Sequence, residues 1–279
     1  MHALHDIDRY APWRLIERLP LDFATFHPQG LAFAAGLTFL SSVEVQETPA
    51  VVLGGESLPG PPAVAQGVGH VFVIDQQGSL LRDVIVGEGA IHHPGGIDFD
   101  GTSVWVSVAQ YRPGGQSIIS TIDPTTAEVR ERFRVPDHIS WVVCDRVNAL
   151  VHGASWGSRV FYTWTIDGAL VTRWENPSGF IDYQDCRFIG EGLIAASGIA
   201  VLSGASGPFE LGGLAFIDTA ERTVVREFPV SLYSTAGHTV TRNPFSLSFD
   251  PGSVTMWVAP DDGGEGNGTE ILTYRTTTR

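Results

Sequence analysis

A chain of 279 residues with 43% hydrophobic content is long enough to bury a substantial core as one domain, residues 1–279. Its 17 basic against 31 acidic residues leave a net charge of -14, which disfavours phosphate backbones and argues against a nucleic-acid partner. No run of eighteen apolar residues and no apolar stretch behind a basic leader is present, so no membrane association is expected and a cytoplasmic location is.

The first predicted element is a strand over about 13–20, WRLIERLPL from Trp13. A two-part pattern then returns five times. Its first part is a strand that opens on a polar residue and reaches an apolar one six positions later, starting near His27, His93, His138, Asp182 and Asn243. Its second part is an alternating strand that ends in an Asp-containing turn before the next strand, as in VFVIDQQGSLLRDVIV from Val71 and LAFIDTAERTVVREF from Leu214. The starts are 66, 45, 44 and 61 residues apart, in the range of propeller and solenoid repeats. Period-two alternation between turn residues argues for strands throughout, and no sustained helical stripe competes with it.

The fifth copy stops after one further strand, EILTYRTTTR from Glu270. If the segment from Trp13 supplies the missing outer strand, a ring of four-stranded units closes and no sheet edge is left open. The expectation is an all-β, five-bladed β-propeller of four-stranded antiparallel blades.

In such a ring the starts of first strands and the ends of second strands converge on one face. The starts bring His27, Gln29, His93, His138, Trp141, Asp182, Tyr183, Gln184, Asp185 and Asn243 to it. The ends bring Glu44, Gln110, Arg112, His152, Trp156 and Asp262. The extra residues lie between Glu44 and His70, a Pro/Gly-rich segment including GGESLPGPPAVAQGVG, and between Val230 and Asn243, with shorter Gly-rich excursions after Ser197 and Asp261. All of these join strands at that face, as loops that wall a site.

The motifs HPQG, HPGGIDFDG, VAQYRP, VPDHI, SWGSR and FIDYQD, in this order from about Phe26 to Asp262, resemble those of an uncharacterised bacterial β-propeller family catalogued as a domain of unknown function. That resemblance implies a fold and no activity. The chain is more loosely similar to lactonase-like and NHL-type propellers. The lactonase-like metal site is built from Glu, Asn and Asp, however, and the column here reads His, His, His, Asp, Asn.

Three imidazoles at equivalent positions would point into one channel, and neutral His is a good ligand for transition metals. His27, His93, His138, Asp182 and Gln184 are therefore candidate ligands of a divalent metal, Mn, Zn, Fe or Ca. The set also resembles, in residue types alone, the three-His-plus-Gln manganese site of propeller-type oligogalacturonide lyases. Tyr183, Asp185, His152 and Glu44 are candidate proton-transfer groups around it. Gln29, Gln110, Arg112, Trp141, Trp156, Asn243 and Asp262 are candidate contacts to a small polar substrate. The function read from this set is a metal-dependent hydrolase or lyase acting on a lactone, ester or sugar acid, with no organic cofactor.

Two other readings stand beside it. A metal-free glycoside hydrolase would use Glu44 with Asp182, Asp185 or Asp262 as its carboxylate pair. A non-catalytic binding or scaffold propeller needs neither, because a His or Asp at a strand start also caps loops and binds channel water. Cys144 and Cys186 read as small buried hydrophobes in adjacent inner strands.

Overall fold

The computed structural model describes residues 7–47, 66–205 and 207–278, and the chain within them is all β apart from one 3₁₀ turn, Trp156–Ser158. Most of the Pro/Gly-rich run after Glu47, expected to wall the site, lies outside the described residues. Among the described residues no helix is long and apolar enough to cross a membrane.

The twenty described strands fall into consecutive four-stranded antiparallel units. The first unit is β2 (His27–Ala34), β3 (Leu37–Glu47), β4 (Gln66–Ile74) and β5 (Leu80–Val86). The next is β6 (Ile91–Phe99), β7 (Val104–Gln110), β8 (Ser117–Ile122) and β9 (Val129–Val135). A single parallel bridge, Trp141 to Gly96, joins it to β10 (Trp141–Asp145), β11 (Leu150–Ala154), β12 (Val160–Thr165) and β13 (Leu170–Glu175). Then come β14 (Asp182–Gly190), β15 (Leu193–Gly204), β16 (Gly207–Asp218) and β17 (Thr223–Pro229). The last unit is β18 (Phe245–Asp250), β19 (Ser253–Val258) and β20 (Glu270–Thr277), whose outer neighbour is the N-terminal β1 (Arg14–Pro20). The expected closure by the N-terminal segment is therefore present: β1 runs antiparallel to β20, Leu19 opposite Ile271 and Arg14 opposite Arg275.

The first strands of the units touch in a cycle, β2 with β6, β6 with β10, β10 with β14, β14 with β18 and β18 with β2. Crowding at the centre dictates the residues there. A Cβ on Gly30 would stand 2.6 Å from the Ile97 amide, and one on Gly96 would collide with the Asp185 carboxylate. The central β10 is buried at every position, whereas β5 and β9 on the outside expose most of theirs. Between units, alternate apolar residues interlock: Val104, Val106 and Val108 of β7 pack with Val71 and Val73 of β4, and Phe216, Phe228 and Leu247 form a second layer with Met256 and Tyr274. Asp75, Asp123 and Asp218 cap the turns between third and fourth strands by accepting bonds from amides two to four residues on.

One expected loop is a strand pair instead. The Gly-rich stretch after Ser197 continues the ladder of β15 and β16 as far as Gly204 opposite Gly207, forming an arm that ends in exposed Val201 and Phe209. Ladder bonds between the two strands satisfy the backbone there, so glycine content did not break the strand.

Candidate functional site

At one end of the cycle of inner strands lies a cavity of about 310 Å³. Eight residues singled out by sequence line it: His27, Gln29, His93, His138, Trp156, Asp182, Gln184 and Asn243. Tyr111, Ser140, Ile199 and Arg242, with Gly95 and Gly157, complete the wall. Arg242 directly precedes Asn243, so its adjacency to a strand start is the signal that finds it.

His27 opens β2, and the loop carrying Asp262 is stitched to it from below. Gly263 donates its amide to the Phe26 carbonyl at 2.8 Å, and only a glycine fits there, since a Cβ would stand 2.7 Å from Thr25 Oγ1. The hydroxyls of Thr25 and Thr269 bond at 2.6 Å, and Thr269 Oγ1 donates to the Asp261 carbonyl at 2.8 Å. The result is a pairing of His27 Nδ1 with Asp262 Oδ1 at 2.7 Å. A carboxylate accepts only, so Nδ1 carries the proton and Nε2, 3.5 Å from Asn243 Nδ2, is turned to the cavity. Burial alone would push the Asp262 carboxyl up, but the hydrogen bond from His27, with Arg242 and His238 nearby, brings it below its ordinary range.

His93 and His138 face each other with ring centroids 6.3 Å apart. His93 stacks on Tyr111 at 4.6 Å, and His138 meets the Trp156 ring edge-on at 4.7 Å. His138 Nδ1 donates to the Gln110 carbonyl at 2.8 Å, which leaves its Nε2 as an acceptor. Burial, followed by the neighbouring His138, His27 and His92, holds the His93 pKa well below that of a free imidazole, and burial also lowers that of His138. Both rings are neutral at physiological pH. Across the mouth Asp182 pairs with Arg159 at 2.9 Å, and burial raises its carboxyl in spite of that guanidinium.

The remaining sequence candidates lie elsewhere, chiefly because each residue along a strand sits about 3.3 Å deeper than the last. Asp185, three residues into β14, is fully buried at the centre of the molecule. It accepts the amides of Leu31 at 2.9 Å, Ile97 at 3.1 Å, Phe245 at 2.8 Å and Cys186 at 2.9 Å, so it fastens inner strands together and orients no imidazole. Tyr183 is buried between units, its hydroxyl on Glu227 at 2.5 Å. Trp141 is a core residue donating to Ser158 Oγ at 3.0 Å. His152 is buried within its sheet, Nδ1 against Thr163 Oγ1 at 3.0 Å. Glu44 stands 3.9 Å from the separate His70–Asp83 pair, outside the cavity wall. Gln110 and Arg112 bond each other in an exposed turn, and Gln110 reaches the site only through its carbonyl. Cys144 and Cys186 are free and buried.

Among the described residues no three His, Cys, Asp or Glu side chains stand close enough to hold a metal ion. The expected ligands share the cavity wall and, as placed, do not form a coordination sphere.

Three solved structures with similar architecture are a protein of unknown function from Bacteroides caccae (12% identity, TM-score 0.48, 85% of this chain and 73% of that one), a member of the DUF4221 family from Bacteroides vulgatus (10%, 0.44, 98% and 100%), and a neuraminidase-like protein from A/bat/Guatemala/164/2009 (13%, 0.48, 95% and 94%). No curated protein matches the chain. One family model, described as a family of unknown function, matches residues 2–274.

Proposed function

Because the chain belongs to that family, DUF6454, whose function is unknown, we propose a reading that rests on its own side chains: a five-bladed β-propeller whose central mouth binds a small, polar, carbohydrate-like molecule and transfers a proton on it through His27. The closed cycle of inner strands and the β1–β20 pairing support the propeller. Three side-chain amides, Gln29, Gln184 and Asn243, share the cavity wall with the aromatic rings of Tyr111 and Trp156, the combination that hydroxyl-rich molecules need.

The observation that carries the catalytic part is the 2.7 Å bond from His27 Nδ1 to Asp262, which leaves Nε2 as the nitrogen on the side of Asn243 and the cavity wall. An imidazole so oriented is a general base. It activates water on a lactone or ester, or removes the proton next to the carboxylate of a sugar acid. Asn243 and Arg242 stand beside it to stabilise the oxyanion that either step creates. The carboxylate pair of a glycoside hydrolase is less well supported, because Glu44 lies outside the wall.

A second reading keeps the divalent metal. His27 and His138 each have Nδ1 held by an acceptor, Asp262 and the Gln110 carbonyl, the arrangement that orients metal-bound imidazoles. His93 would be the third ligand. Turnover of lactones, esters and uronic-acid derivatives by the purified protein, with and without chelator, decides between the two. On the proton-transfer reading, His27→Gln and Asp262→Asn each lower kcat by about 10² or more and chelation changes nothing. Variants with wild-type kcat refute that reading. About one equivalent of metal by elemental analysis, lost in His93→Ala together with activity, establishes the second. Tight binding of a sugar without turnover leaves a binding propeller.

A further inference from the structure

Beyond the cavity wall, a row of charged side chains leads from the β15–β16 arm to the carboxylate that orients His27. Glu210, on β16, accepts from His238 Nδ1 at 2.9 Å and from the Thr239 amide at 2.9 Å. His238 Nε2 meets Glu265 Oε2 at 3.1 Å. That same Glu265 oxygen accepts the backbone amide of Asp262 at 3.0 Å and Arg242 Nη1 at 3.4 Å. Arg242 Nη2 lies 3.5 Å from Asp262 Oδ2, and Asp262 Oδ1 holds His27.

We propose that Glu265 is a positioning residue: it fixes the Asp262 loop so that the carboxylate stays on His27 Nδ1, and through His238 it fastens that loop to the arm. Three features carry this. First, one carboxylate oxygen gathers three donors from three places in the chain, residues 238, 242 and 262, which lie on no common strand. Second, the bond to the Asp262 amide acts on the backbone, so it sets where the whole residue sits and not only its rotamer. Third, His238 has a carboxylate on each ring nitrogen, an arrangement that only the doubly protonated imidazolium satisfies. Burial by itself would lower the His238 pKa, yet the Glu210 bond and the two carboxylates raise it. The row thus alternates in sign from Glu210 through His238, Glu265 and Arg242 to Asp262, whose carboxylate accepts the His27 Nδ1–H. Each charge has opposite charges beside it, which makes the row hold together as a unit in the partly buried setting.

Glu265 does not line the cavity itself; it reaches the site through Asp262, which holds His27, and through Arg242, which stands in the wall. The inference rests on the reading of His27 as the proton-transfer group, but its test does not, because it is read without any substrate. In the full chain labelled with ¹⁵N-histidine, the Nδ1–H proton of His27 gives a slowly exchanging, downfield resonance, identified by its loss in His27→Gln. In Glu265→Ala its exchange with water is faster by about tenfold or more, the ratio expected when one supporting hydrogen bond is lost. Circular dichroism confirms that the variant is folded. Should Glu265→Ala not fold, Glu265→Gln, which keeps an oxygen for the Asp262 amide but removes the charge, shows a smaller acceleration in the same direction. A folded Glu265 variant with wild-type exchange overturns the proposal, as does a wild-type protein with no such protected proton. Failure of the functional reading is a different result: His27→Gln and Asp262→Asn with unchanged turnover.

Discussion

Asp185 shows how much one side chain can decide. Taking a carboxylate out of water is costly, and burial pushes its pKa well above the ordinary range while the amides of Phe245, Leu31 and Cys186 pull it back. With Ile97 these donors come from β2, β6, β14 and β18, so one residue satisfies backbone groups at the point where the ring is too narrow for ladder pairing. Asp185→Asn replaces an acceptor with an NH₂ group that faces amide donors. The expected outcome is a loss of roughly 3 kcal/mol or more in urea unfolding, and a loss under about 1 kcal/mol would show that the amides find other partners. From sequence, Asp185 and Asp182 look equivalent, since both are carboxylates at the start of one strand. What separates them is depth, together with the bulge in β14 between Tyr183 and Asp185, and neither leaves a mark in residue type. His27, His93 and His138 were legible for the opposite reason: His27 opens β2, His138 precedes β10 and His93 is only two residues into β6, so all three stand near a strand start, where the repeat itself sets the height.

At the scale of elements the repeat was legible because inner strands, outer strands and Asp turns each have their own burial demands. The β15–β16 arm was not, because Gly and Ser are turn residues by propensity and only the facing strand makes them a ladder. The N-terminal strand is the element with most at stake. β1 covers the edge of β20, Arg18 bonds Glu270 at 2.9 Å, and Ile7 ahead of it is fully buried beside Val240, Phe245 and Tyr274. Removing residues 1–20 strips the edge of β20 and opens a core cavity. The truncated chain is expected to melt lower by about 10 °C or more and to associate on size exclusion, and a synthetic peptide of residues 7–20 should restore part of the loss. A truncated monomer with the melting temperature of the full chain would show that β1 is dispensable for closure.

For the whole molecule, pH dependence is a sum over buried groups that pull in opposite directions. Burial holds His152 at about 4, against 6.5 for a free imidazole. As pH falls from about 6.5 the unfolded chain takes up a proton that the folded one refuses, so the stability this group contributes is full above 6.5 and has gone by about 4. The same sense holds for the neutral His93 and His138. Asp98 works the other way: burial, only partly offset by Arg187, raises it to about 6, so the folded protein keeps a proton that the unfolded chain releases between about 4 and 6. Over that interval Asp98 and His152 contribute slopes of about 1.4 kcal/mol per pH unit of opposite sign and largely cancel. His152→Gln removes one side of the balance. Its stability relative to wild type should therefore improve steadily from pH 6.5 down to about 4, by about 3 kcal/mol in all, measured as urea midpoints across the range. A difference that stays constant with pH would mean that His152 titrates alike in the folded and unfolded chain, and that the acid response of the fold is set at the mouth, by His93 and His138.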